Sequence, residues 1–83
     1  MSDLKKSVEA VLFAAARTVS LEELTRLTGV KDESALKRAA KELKEELDAK
    51  DSPIMVVDEN NGWKLVVREK FLPTVQQIVP HTD

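Results

Sequence analysis

Eighty-three residues make one small domain, and a chain of that length buries only about 60–65 % of the surface its unfolded form exposes. Apolar residues supply 42 % and charged residues 34 %, which fits a globular fold with a heavily charged surface and excludes disorder. The formal net charge is −2, where a nucleic-acid binder carries a basic excess, and the absence of cysteine excludes disulfides and thiolate metal sites.

The opening MSDLKKSVEA lacks the apolar core of a secretory signal, and no run approaches the ~18 apolar residues of a membrane span. The expectation is a soluble, cytoplasmic protein. Residues 4 to 16 predict a helix, because Leu4, Val8, Val11, Leu12 and Ala15 recur as one stripe at helical spacing. Thr18 and Val19 are β-branched and suit a very short strand. Ser20 then opens SLEEL, and Glu23 three residues on completes a capping box. Leu21, Leu24 and Leu27 are expected to line this second helix, which Gly29 ends.

A third helix is predicted from Asp32, a good N-cap, to about Lys50, burying Leu36, Ala39 or Ala40, Leu43 and Leu47. Ser52 and Pro53 break the pattern. Residues 54–57 and 63–67 read as the arms of a β-hairpin joined through 58–62, and that length predicts a bulge or open turn. Alternation places Trp63 with Leu65 and Val67, in the core at the hairpin base. It also leaves both faces of the first arm partly apolar, through Ile54 and Val56 on one side and Met55 and Val57 on the other. Phe71, Leu72, Val75, Ile78 and Val79 form one face of a last helix from about 69 to 79, with Pro73 tolerated only in its first turn. The result is an α+β fold, a winged helix-turn-helix of three helices, a β-hairpin wing and an additional C-terminal helix.

A helix-turn-helix that reads DNA sets the N-terminal residues of its third helix against base edges. Here that end is KDESALKR, and residues 31–50 carry six positive and six negative side chains. The wing adds Asp58 and Glu59 against Lys64. Affinity for duplex DNA rests on neutralised phosphates, so the helix charges read best as a solvated face. Lys37, Arg38, Lys41 and Lys44 remain the candidate contacts of a small DNA-binding regulator, since Lys37, Lys41 and Lys44 fall close together on a helix.

The first helix is apolar nearly all round. Phe13 points almost opposite the Val8–Leu12 stripe, with Ala10 and Ala14 beside it and Lys6 and Arg17 at the rim. Two readings stand: the last helix or the hairpin covers Phe13, or Ala10, Phe13, Ala14 and Arg17 form a self-association surface. Burying one Phe is worth roughly 1.5–3 kcal/mol, so a bare ring demands one of them. Catalysis has little to stand on. His81 is the only histidine and lies near the end; Glu22–Glu23 and Glu45–Glu46 sit on exposed helix faces. No Gly-rich phosphate loop or metal-ligand spacing is present, so neither an enzyme nor a cofactor is expected.

Three pieces together resemble the N-terminal winged helix of the segregation and condensation protein B family. They are Glu9 to Ala15 in EAVLFAA, Ser20 to Leu24 with Leu27 and Gly29, and Gly62 to Leu65 in GWKL. Ala16, Arg17 and Thr18 stand where that family often has Gly-Glu-Pro. The resemblance implies an adaptor in chromosome condensation and segregation. It would form a homodimer and bind a kleisin, and through it a structural-maintenance-of-chromosomes ATPase. It also implies that residues 1–83 are the N-terminal domain of a longer two-domain protein.

Overall fold

The computed structural model describes residues 3–76. Helix α1 (Asp3–Ala15) is followed by the short strand β1 (Val19–Ser20), helix α2 (Leu21–Thr28) and helix α3 (Glu33–Ala49). Strands β2 (Ile54–Glu59) and β3 (Gly62–Val67) form the wing, and a 3₁₀ turn (Glu69–Phe71) leads into α4 (Leu72–Gln76). The sheet is antiparallel in the order β1-β3-β2. The expected winged helix-turn-helix is therefore the fold.

The caps explain where the elements begin. The Ser20 side chain accepts the Glu23 N–H, and the Glu23 carboxylate accepts the Ser20 N–H, so the capping box is complete. Asp32 accepts the Ala35 N–H at the start of α3. Gly29, at φ 76°, closes α2 in the left-handed conformation that a Cβ would disfavour. Ala16 takes that conformation at the end of α1, at φ 55°.

The core lies between α3 and everything else. Val8 and Leu12 of α1, Val19 of β1, Leu24 of α2 and Val56 of β2 are buried against Leu36, Ala39, Ala40, Leu43 and Leu47. Ala39 and Ala40 are both buried, where the helical spacing allowed either one. No polar or charged side chain is buried among the described residues. Arg68 locks the corner between α3 and β2. Its guanidinium donates to the Leu47 and Ser52 carbonyls and meets the Asp48 carboxylate at 2.9 Å.

Several expectations are corrected. The hairpin turn is tight: β2 runs on through Asp58 and Glu59, leaving Asn60 and Asn61 as a two-residue connection. Both asparagines have positive φ, 50° and 57°, as a type I′ turn requires. Trp63 accordingly sits near the turn, paired with Asp58 and Val19, rather than at the hairpin base, although it still packs on the core. The short strand is Val19–Ser20 and does not include Thr18. Leu27 is 49 % exposed, because α2 turns Leu21, Leu24 and Thr28 inward and Leu27 lies at the margin of that face, about 90° round the helix from its centre. The last helix begins with a 3₁₀ turn, Pro73 falls in the first turn of α4, and the predicted Ile78 and Val79 lie outside the described residues.

Gly62 fixes the wing to the helices. It is buried, and a Cβ there would run into the Val19 carbonyl of β1. The next link is the Asn61 carbonyl, which accepts the Leu21 N–H at 3.1 Å and so serves the first turn of α2. Gly62→Ala is expected to lower the unfolding free energy by about 2 kcal/mol through forced separation of β1 from β3. Urea unfolding should show a lower midpoint with an unchanged slope.

Candidate functional site

Helix α1 uses one face for the core and presents the other to solvent. Val8 and Leu12 are fully buried, while Phe13, about 120° round the helix from that stripe, is 79 % exposed. Neither the hairpin nor any other described element covers the ring. Ala10 and Ala14 flank it and are exposed. Beside Phe13 runs a groove of about 420 Å³ between α1, the end of α3 and the wing. Its apolar wall is Ala10, Phe13, Leu47, Ile54 and Leu65, and Lys6 and Glu9 stand at its edge.

The predicted surface residues divide. Ala10 and Phe13 meet in the groove, and Ala14 lies on the same side of α1. Arg17 is drawn elsewhere: its guanidinium clasps the Glu23 carboxylate at 2.8 and 3.0 Å and donates to the Thr18 carbonyl at 2.9 Å. The groove wall supplied by Leu47, Ile54 and Leu65 was not legible as a site. Each reads in sequence as an ordinary core position of its own element, and only the packing of α1 on α3 and β3 brings them together.

The DNA-reading alternative meets an unfavourable electrostatic surface. Between the N-terminal end of α3 and the wing lies a cleft of about 770 Å³ where, among the described residues, Glu22, Glu33, Asp58 and Glu59 stand against the one cation Lys37. Lys37, Lys41 and Lys44 do gather, as their spacing predicts, in a shallow pocket beside Trp63. Glu45, Asp48 and Asp58 line that same pocket, so its charges cancel. Arg38 is exposed and outside it. A phosphate backbone placed on either surface would face carboxylates at close range.

Ion pairs brace the face. Lys5 of α1 pairs with Glu46 of α3, which also meets Lys50 at 3.3 Å. Glu46 is held below, and Lys5 above, its usual titration range by their mutual hydrogen bond. The Arg17 hydrogen bond, with the Ser20 N–H, lowers Glu23 from 4.5 to about 2. A carboxylate depressed in this way binds its proton later when folded than when unfolded. Its stabilising effect is therefore complete above pH 4.5 and disappears as the pH falls towards 2. Glu23→Gln should destabilise the protein at neutral pH and flatten the acid limb between those values. Urea midpoints measured across that range check the sign.

The family model for the segregation and condensation complex subunit ScpB matches residues 6–83. Segregation and condensation protein B of Ureaplasma parvum serovar 3 is 31 % identical over 80 residues, covering 95 % of this chain. The chain spans only 22 % of that relative's length. Among solved structures, a dimer of the ScpB N-terminal domain complexed with a ScpA peptide superposes with a TM-score of 0.80 at 25 % identity. The match covers 96 % of this chain and 92 % of that one. ScpB from Mycobacterium tuberculosis matches with a TM-score of 0.82 at 23 % identity, over 96 % of this chain and 53 % of that one.

Proposed function

This chain belongs to the family of the segregation and condensation complex subunit ScpB, and we propose that it is a non-enzymatic, cytoplasmic adaptor in chromosome condensation and segregation. It pairs with a second copy of itself and binds a kleisin, through which it joins a structural-maintenance-of-chromosomes ATPase. Residues 1–83 serve as the N-terminal winged helix of a longer two-domain protein.

The observation that carries this reading is the bare Phe13 ring on a helix whose opposite face is already spent on the core. An aromatic side chain flanked by small residues and edged by charges has the anatomy of a protein interface, where aromatics anchor and polar groups form the rim. The related N-terminal domain solved as a dimer with a ScpA peptide supports both partners. The acidic cleft between α3 and the wing supports the same conclusion from the other side, since it turns the usual nucleic-acid surface of the fold towards proteins.

Phe13→Asp places a charge in the middle of the proposed interface while leaving the core untouched. Sedimentation equilibrium should find a dimer for the original sequence and a monomer for the variant, with unchanged far-ultraviolet circular dichroism. A folded dimer that survives the substitution overturns this placement of the interface.

A further inference from the structure

Phe13 stands at the edge of a groove that its ring leaves open. The ring projects from α1 and is 79 % exposed, so it does not fill the space next to it. The groove, at about 420 Å³, is larger than the ~150 Å³ cavity that accommodates benzene. Its wall is mainly aliphatic, from Leu47, Ile54 and Leu65, with Ser52 and one edge of the Phe13 ring beside them, and Ala10 contributes only a methyl group and leaves the entrance open.

We propose that two copies of the chain pair by reciprocal insertion, each seating its Phe13 ring in the groove of the other beside Ala10. The proposal rests on the self-association reading above and adds how the surfaces fit. A twofold interface must be self-complementary, with the same patch on both subunits. A patch that carries one knob and one hole side by side meets that condition without help from another element. The edge agrees. Lys6 and Glu9 bring both signs of charge to the rim, both are exposed, and neither forms an ion pair among the described residues. A second copy therefore meets a mixed rim rather than a single-sign field, and the ring leaves water for an apolar slot.

Reciprocity makes a prediction that simple apolar contact does not. Phe13→Ala removes the knob and one edge of the hole but leaves its Leu47, Ile54 and Leu65 wall, and Ala10→Trp plugs the hole; both positions are solvent-exposed, so neither change disturbs the core. Each variant alone should dimerise about thirtyfold or more weakly than the original chain. Mixed in equal amounts they should form a heterodimer. In it the retained Phe13 enters the open groove, and the introduced indole faces the site of the missing ring. Native mass spectrometry separates the three pairings by mass, and circular dichroism confirms that each variant is folded. A heterodimer well above either homodimer is the expected result. A dimeric original chain whose variants are both weakened, or both unaffected, with no gain on mixing overturns reciprocal insertion and leaves self-association standing. A monomeric original chain overturns both.

Discussion

The structure depends on one apolar seam. Leu36, Ala39, Ala40, Leu43 and Leu47 run along α3, and α1, α2 and the wing are laid against them. The two alanines let the neighbouring elements approach closely, and the three leucines supply most of the buried volume. Among the described residues the buried side chains form one cluster, so each helix is positioned by what it gives to this one. The consequence for α1 is specific. Val8 and Leu12 are committed to the seam, and the helix cannot turn to bury Phe13 without exposing them. The outward ring is a constraint of the fold, which is why it is informative about function.

The wing is held to the same frame by backbone contacts as well as by the buried Val56 side chain. The tight turn at Asn60–Asn61 directs the Asn61 carbonyl onto the start of α2, and Gly62 allows β3 to lie directly on β1. Thr18 reinforces the link by donating its hydroxyl to Glu59 at 2.6 Å. These contacts fix Asp58 and Glu59 opposite the N-terminal end of α3, where Glu22 and Glu33 already stand. The cleft that would hold a phosphate backbone in a DNA reader is thus lined by carboxylates as a result of the same geometry that stabilises the hairpin. Architecture alone suggests DNA, and the charges placed on it point to a protein partner.

Features that depend on neighbours along the chain were legible in the sequence. Ser20 with Glu23, Asp32 and Gly29 announce their caps because the partners lie within one helical turn. The double-faced character of α1 was legible for the same reason. The hairpin turn is shorter than the sequence suggests, because Asp58 and Glu59 have the character of loop residues and pairing with Trp63 and Gly62 makes them strand. Spacing alone puts Leu27 in the core, but it falls at the margin of the α2 face centred between Leu24 and Leu21, where solvent reaches it. Arg17 was read as a rim residue, and its long side chain instead reaches the carboxylate of the capping box. The groove beside Phe13 escaped altogether, since Leu47, Ile54 and Leu65 come from three elements and meet only through tertiary packing.

The outer face of α1, and not the α3–wing cleft, is proposed as the surface this domain presents to its own kind. Dilution of the ¹⁵N-labelled chain, followed by amide chemical shifts, tests it most directly. Concentration-dependent shifts are expected at Lys6, Ala10, Phe13 and Ala14 and across the groove at Ile54 and Leu65, with Lys37, Lys41 and Asp58 unmoved. Shifts confined to the N-terminal end of α3 and the wing, or no shifts at any concentration, would contradict it.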